Sequence, residues 1–555
     1  MFADWALKTL VFVVRTFRAR TTNTRVFGFA QAIAPPHPLI PDNEKDGLQF
    51  FTMPRDLRGF LKLLEQRGQL RRITVPVDPE LEIAEISNRL MQGGGPALLF
   101  ENVKGAAHPL AINVMGTVER VCWSMNMEKP EDLEGLGKKL AILYQPRPPK
   151  KISQAVELGK VLFDVIKAKP NRDFLPPCQQ VVLKGDDVDL TKLPLLKVYP
   201  GDAERVLTLG LMITKDPESK IVNVGVYRLQ LQSKNTMTVQ WLSVRGATRH
   251  LRKAAERGEK LEVAMAIGVD PLVIMAAATP LPIDLSEWLF AGLYGGEGVH
   301  LAKCKTVDLE VPADAEFVLE GTITPGETAV DGPAGDHMGF YGGVNEEAPL
   351  IRFHCMTHRK NPIYMTTFSG RPPKEDAMMA IALNRIYNPI LRQQVPEIVD
   401  FFLPMEGLSY KAAILSIDKA YPGQARRAAM AFWSALPQFT YTKFVIVVDK
   451  EINVRDPRQV MWAVTSKVDP ARDVFILPDN PFDRLDFATE RAGLGSKMGI
   501  DATTKVYPET DRPWNEELKP DPATAELVTR RWAEYGLADL KLDDVDPNLF
   551  GYDIR

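Results

Sequence analysis

The stretch 221–233, IVNVGVYRLQLQS, reads as a β-strand that carries chemistry. Asn223, Gly225 and Tyr227 alternate with Val222, Val224 and Val226, the period of two that sends successive side chains to opposite faces of a strand. Arg228 falls on the other parity from Asn223, so only a bend or a bulge would turn both toward one pocket. On either side lie VLTLGLMITKD (206–216), TMTVQWLSV (236–244), EVAMAIGV (262–269), AEFVLEGTIT (315–324) and IRFHCMTHR (351–359). All are rich in β-branched and aromatic residues and are broken by turn signals, which implies a barrel or sandwich over residues 176–367.

Both flanks read as α/β. Upstream, apolar spacing in DLRGFLKLLEQRGQL and ELEIAEISNRLMQ predicts two amphipathic helices around a strand at RRITVPV, the core of a unit spanning 53–175. The triple glycine Gly93, Gly94 and Gly95 follows a helix and precedes the strand ALLFENV. A phosphate cradle needs the reverse order, so these glycines read as a helix stop. Downstream, over 368–515, helices at AMMAIALNRIYNPIL, GQARRAAMAFWSAL and RQVMWAVTSKV alternate with strands at KAAILSID, KFVIVVD and DVFIL, which predicts a parallel or mixed sheet with helical crossovers. Asp456 and Pro457 supply an N-cap and a first-turn proline. Residues 516–555 form a C-terminal helical tail on this reading. Residues 1–52 read as an extension: Arg15, Arg18, Arg20 and Arg25 meet a single acid, Asp4, before Asp42. A transit peptide is the other reading of that composition.

With 555 residues, 45% of them hydrophobic, the chain can build a large core. A net charge of −3 leaves no basic footprint for nucleic acid. Cys122, Cys178, Cys304 and Cys355 form no CxxC pair, which argues against a structural zinc site or a disulfide framework. No apolar run reaches the roughly 20 residues that span a bilayer. The expected location is cytoplasmic.

The polar residues set among these strands are the candidates for function. Asn223 and Glu287, the latter at a helix start in DLSEW, could offer oxygen to Mg²⁺ or Mn²⁺, ions that take few protein ligands and keep water or phosphate. Glu287 could equally complement a helix dipole. Asp331 and Asp336 flank the turn GPAG in DGPAGDH, followed by His337, and could present two carboxylates to a cleft or simply serve the turn. Arg228 beside them would tune their protonation. His354 and His358 would stand roughly 13 Å apart along one face of a strand, too far to clasp one ion. Lys497 in GLGSKMGID is a candidate phosphate contact.

Taken together, DLRGFLKLLEQRGQLRRITVPVDPELEIAEI, GGPALLFENVKG, PPCQQ, GDDVDL, VYRLQL, LSEW, GETA, GDHMGFY, GRPP, VPEIVDF, YTKFVIV, DPARD and GLGSKMGIDAT resemble the UbiD-type decarboxylases from about Met53 to Trp514. The resemblance implies an N-terminal α/β domain, a central split β-barrel of the flavin-reductase type and a C-terminal α/β domain. It implies prenylated FMN, a divalent metal, usually Mn²⁺, and K⁺. Asn223 and Glu287 would be metal ligands. Val226, Tyr227, Arg228, Gln240, Trp241, Leu242, Arg245 and Gly246 would line the cofactor, with Lys497 near its phosphate. Arg228 would orient the substrate carboxylate, Asp336 would protonate the ring carbon and Asp331 would hold the network in register.

The implied reaction is non-oxidative decarboxylation of 4-hydroxy-3-polyprenylbenzoate to 2-polyprenylphenol in ubiquinone formation. Another aromatic or heteroaromatic acid is the alternative substrate. Losing CO₂ from a ring leaves electron density that no ordinary side chain can delocalise, hence the cofactor. Implied partners are a flavin prenyltransferase as cofactor supplier, further copies in a hexamer, and the inner face of the cell membrane, met peripherally by an enzyme with a greasy substrate. One departure stands out: Val244 occupies the place where relatives carry a third metal-ligating histidine. Water would complete the shell there, or the chain would be a flavin-binding protein without catalysis. His250 is near in sequence but has no motif support as a replacement.

Overall fold

The computed structural model describes residues 55–144, 148–149, 151–241, 246–279, 286–483, 485–518 and 521–538. The expected 1–52 extension lies outside them, as do Leu242, Val244 and Arg245.

The strand-rich centre closes into a six-stranded antiparallel barrel: β1 (Val206–Lys215), β2 (Val222–Leu231), β3 (Thr236–Val239), β4 (Leu261–Ile267), β5 (Phe317–Asp331) and β6 (Asn345–His358). Their order is β5, β4, β1, β2, β3, β6, and β6 pairs back onto β5, with Val181–Lys184 added along β6. Alternation explains the core. Leu207, Leu229, Leu231, Met212 and Met265 share one apolar cluster with Phe317 and Phe353, while Leu211, Ile213 and Val224 share a second cluster with the surrounding helices. The helix Gly246–Glu256 sends Ala254 and Leu251 into the first of these.

The helices and the strand expected at the N-terminal end are present. Asp56 caps the helix Leu57–Gln66 by accepting from the Gly59 N–H at 2.7 Å. Gly93 closes the helix Glu82–Gln92, and Gly94 follows with φ +63°. Strands Leu70–Ile73, Ala97–Phe100 and Leu110–Ile112 make its sheet, which also recruits Tyr364–Met365 from the end of the barrel segment. The unit is therefore not closed off at residue 175. A second bond between units comes from the helices Asp132–Tyr144 and Glu375–Gln394. A Cβ on Gly137 would sit 2.3 Å from the Ile386 carbonyl, so the glycine permits a close crossing.

The C-terminal sheet is mixed, in the order Ile398–Phe402, Ala412–Ile417, Phe444–Asp449, Leu494–Ala502, Val474–Pro481. Its three middle strands are parallel and its edges antiparallel. Asp456 caps Pro457–Lys467 as expected, accepting from Arg458 N–H at 2.9 Å. The GLGSKMGID stretch belongs to a strand here, where Gly499 leaves room for the Phe475 ring. Within the tail, Pro522–Arg530 is helical. Among the described residues no helix is long and apolar enough to cross a membrane.

Candidate active site

The irregularity beside 221–233 lies in the neighbouring strand. Opposite Arg228, Thr208 and Leu209 bulge out of β1 between the pairs Leu207↔Leu229 and Gly210↔Tyr227, and Leu209 takes a φ of +60°. Residues 225–228 are all half-buried, a run that a flat strand with one solvated face would not show. Asn223, Gly225 and Tyr227 share a face; Gly225 leaves the space that Tyr227 fills, since a Cβ there would lie 2.7 Å from its ring. Tyr227 meets Trp241 edge to face at 6.1 Å.

Arg228 reaches the other side of the strand. Its Nη2 donates to Gln240 Oε1 at 2.8 Å and pairs with Asp331, which is buried and also accepts from Thr238 Oγ1 at 2.7 Å. The next backbone N–H, that of Gly332, donates to Gln230 Oε1 at 2.8 Å. Thr238 and Gln230 were not among the sequence candidates. Their signal was parity: Thr238 is two residues from Gln240, and Gln230 two from Arg228.

Asn223 lies against Gly246, where a Cβ would come within 2.1 Å of its Oδ1. Glu287 opens the helix Glu287–Gly295; Ser286 occupies the N-cap position but makes no side-chain capping bond. Burial pushes the Glu287 carboxyl up to about 7, offset in part by its own N–H and that of Val224. The Val224 N–H sets this carboxyl beside Asn223 on β2. Four polar atoms in this region, Asn223 Nδ2, Glu287 Oε2, Arg228 Nη1 and Trp241 Nε1, are buried without a protein partner.

Asp336 follows Asp331 by five residues. The hairpin Ala334–Gly335 to Tyr341–Gly342 carries it to a cavity of about 490 Å³ lined also by Tyr199, Phe340, Tyr341, Arg371 and Lys374. Its Oδ1 accepts from the Met338 N–H at 2.7 Å. Burial raises its carboxyl above the ordinary value, offset by that N–H and by His337 and reinforced by Asp483. His337 stands 3.1 Å from the Tyr410 hydroxyl, which donates to Asp483 at 2.8 Å, so the hairpin is anchored to the C-terminal unit. The geometry groups Arg228, Asp331 and Gln240 directly, but gives no hydrogen bond or ion pair from them to Asp336 among the described residues.

Lys497 is not brought to this group. Its ammonium donates to the carbonyls of Thr440 and Thr442 within the C-terminal unit and lies near the rings of Trp433 and Phe482; burial, aided by Lys411, lowers it to about 8. His250 is no substitute ligand: it is buried in the helix Gly246–Glu256, its Nδ1 2.9 Å from Thr214 Oγ1. His358 packs against His108 and Phe317, and does not join His354 in a metal site. Among the described residues no three of His, Cys, Asp and Glu are placed to hold a metal.

Residues 61–140, 171–372 and 377–502 match, in order, the N-terminal, Rift-related and C-terminal domains of 3-octaprenyl-4-hydroxybenzoate carboxy-lyase. The chain belongs to the UbiD family. It is a UbiD-type carboxy-lyase of the prenylated-FMN-dependent kind. An uncharacterized protein of Synechocystis sp. is 75% identical over 502 residues, 90% of this chain and 100% of its own. The UbiD-class enzyme HmfF of Pelotomaculum thermopropionicum, solved with FMN, is 32% identical with a TM-score of 0.70, covering 86% of this chain and 100% of that one. Vanillic acid decarboxylase of Sedimentibacter hydroxybenzoicus in closed form is 29% identical with a TM-score of 0.77, covering 87% and 99%.

The residues about β2 of this UbiD-type chain leave polar atoms open to a bound group. Four of the buried polar atoms without a protein partner belong to Asn223, Arg228, Trp241 and Glu287, on β2 and beside it. Asn223 and Glu287 are the oxygen-bearing pair, and the hard ions Mg²⁺ and Mn²⁺ accept one or two such protein ligands.

Proposed function

We propose that this UbiD-family chain decarboxylates an aromatic acid on prenylated FMN with a divalent metal, Mn²⁺ first, and K⁺. Its substrate on this reading is 4-hydroxy-3-polyprenylbenzoate and its product 2-polyprenylphenol, a step toward ubiquinone. The observation that carries the reading is the Arg228 guanidinium, whose Nη2 is held by Asp331 and Gln240 while its buried Nη1 has no protein partner. A guanidinium fixed on one side and free on the other suits a carboxylate, which it can take in a charge-assisted pair.

When bound, the prenylated flavin supplies the electron sink for the departing CO₂. The chain's own residues divide the remaining work. Arg228 binds the substrate carboxylate, and Asp331, gripped by Thr238, fixes the guanidinium plane. Asp336, whose carboxyl burial keeps protonated to higher pH than usual, donates a proton to the ring carbon. Asn223 and Glu287 would hold the metal. Val226, Tyr227, Gln240, Trp241 and Gly246, with Leu242 and Arg245, would line the flavin and exclude water. The closed barrel is, on this proposal, a split barrel of the flavin-reductase type. A flavin prenyltransferase would supply the cofactor, and a prenylated substrate would bring the enzyme to a membrane surface.

The likeness to vanillic acid decarboxylase favours a second reading, a small phenolic acid as substrate. Co-expression with a flavin prenyltransferase, purification with Mn²⁺ and K⁺, and measurement of CO₂ release from prenylated and simple benzoates separates the two. Release confined to the prenylated acid is expected. Release confined to a simple phenolic acid would reassign the substrate, and no release from any acid by flavin-loaded protein would sink both readings.

A further inference from the structure

The turn that carries Asp336 belongs to a very short hairpin. Its strands, Ala334–Gly335 and Tyr341–Gly342, have two residues each, and so brief a pairing is marginal on its own. The barrel side fixes the strands: Asp202 accepts from the Gly335 N–H at 2.8 Å, and the Tyr341 hydroxyl accepts from the Gly201 N–H at 2.9 Å. The turn between them closes on itself. The Phe340 carbonyl accepts from the Asp336 N–H at 3.0 Å, the Asp336 carbonyl from the Gly339 N–H at 3.1 Å, and Asp336 Oδ1 from the Met338 N–H at 2.7 Å. Such bonds set the shape of a turn but not where it stands.

Among the described residues, the hydrogen bond that ties residues 336–340 to the rest of the molecule is the one between His337 and Tyr410. A phenol has one proton to give, and Tyr410 gives it to Asp483 at 2.8 Å. Toward His337 Nε2, 3.1 Å away, the same oxygen can only accept, so the imidazole carries a proton on Nε2 and donates it. Asp483 is a fixed point. It is buried, accepts from the Leu485 N–H at 3.0 Å and pairs with Lys411 at 3.3 Å. A chain of bonds therefore runs from a buried ion pair of the C-terminal unit to the residue beside the acid.

We propose that His337 is the positioning residue of this acid: through Tyr410 it holds the turn, and with it the Asp336 carboxyl, against the C-terminal unit. The proposal rests on the reading of Asp336 as proton donor. Without the His337 bond Asp336 keeps its chemistry and loses its place, and a misplacement of about 1 Å can cost about 10²-fold in rate. Substrate binding, assigned to Arg228, is not involved, so the loss falls on kcat and not on KM.

The test compares variants of the full-length protein. In the flavin- and Mn²⁺-loaded enzyme, His337→Met should lower kcat for CO₂ release by about 10–10²-fold, with KM and the flavin spectrum unchanged. His337→Gln, whose amide can offer Tyr410 an N–H, should recover most of the rate. In a Tyr410→Phe background His337→Met should cost nothing further, because the two side chains act through one bond. Without flavin, amide hydrogen exchange across residues 334–342 should quicken in His337→Met and stay near wild type in His337→Gln. Wild-type kcat or unchanged exchange in His337→Met overturns the proposal, and so does a loss that His337→Gln shares in full. Asp336→Asn, measured beside them, tells the two readings apart. If it is fully active, the acid is misassigned and the proposal falls with it; if it is inactive while His337→Met is unimpaired, the positioning role alone is lost.

Discussion

The buried lysines of the C-terminal unit and the polar groups about β2 of the barrel are completed differently. In the C-terminal unit the buried lysines are matched inside the fold: Lys411 with Asp483, Lys467 with Asp449, Lys505 with Asp501 and Asp473, Lys419 with Glu509. In the barrel, polar atoms of Asn223, Arg228, Trp241 and Glu287 are buried around one strand and left without protein partners. Matched burial is how a fold tolerates charge, whereas unmatched burial costs stability and persists where something else repays it. The contrast is between those lysines and that strand, since Asn384, Glu397 and Trp433 of the C-terminal unit also carry buried atoms without a protein partner, and it makes opposite demands on mutants of the two.

The largest expected effect is on catalysis. Asp336→Asn removes the proposed acid and should reduce CO₂ release by about 10²–10⁴-fold while the purified protein keeps its flavin spectrum. An active variant would break the assignment. The acid must be protonated to donate, and its carboxyl is raised by burial. The wild-type rate should therefore fall as pH rises through that raised value, and this limb should vanish in the residual activity of Asp336→Asn.

The opposite signature belongs to the C-terminal unit. Lys505 is buried and its ammonium lies 3.1 Å from Asp501 and 3.7 Å from Asp473. Lys505→Met leaves two buried carboxylates short of a partner, a loss of about 3–5 kcal/mol. Denaturant midpoints should drop sharply, while kcat per folded enzyme at low temperature stays near wild type. Equal loss of kcat in the folded fraction would erase the distinction between the regions.

A buried group can also reveal itself by titration. Burial lowers His250 to about 4, below its unfolded value of about 6.5, so the fold favours the neutral ring. The stability it contributes is fully present above the unfolded value and is lost as pH falls through the folded one. Between pH 6.5 and 4 the loss should approach about 3 kcal/mol, and His250→Gln, able to keep a bond to Thr214, should flatten that part of the profile.

These contrasts explain what the sequence could and could not reveal. Strand texture placed the barrel because alternation is local, while the mismatched parity of Asn223 and Arg228 in β2 left open whether the two share a pocket. The sharing of Tyr364–Met365 with the N-terminal sheet was illegible, since a two-residue strand has no period. Lys497 illustrates the same limit at the level of the site. Glycines around a lysine suggest a phosphate contact, but Gly499 serves the Phe475 ring and the ammonium serves two carbonyls. The partnerless atoms depend on what three-dimensional packing leaves unmatched, and no motif encodes that.

The smallest predicted effect is the most discriminating. In Gly246→Ala the added methyl would lie 2.1 Å from Asn223 Oδ1, so the carboxamide must rotate away or the start of the helix must shift. Neither change touches the Arg228–Asp331 pair or the C-terminal lysines. A scaffold role for Asn223 predicts a stability loss of the size expected for overpacking, about 1–3 kcal/mol. A ligand role predicts instead that Mn²⁺ retention and flavin occupancy fall roughly tenfold, the result of a displacement worth about 1.4 kcal/mol, with the melting temperature of the metal-free protein nearly unchanged. Titrating Mn²⁺ into the two proteins and melting each without metal reads both quantities. Lost binding with intact melting would confirm that this corner of the barrel was shaped around a ligand; intact binding with lowered melting would return Asn223 to the scaffold.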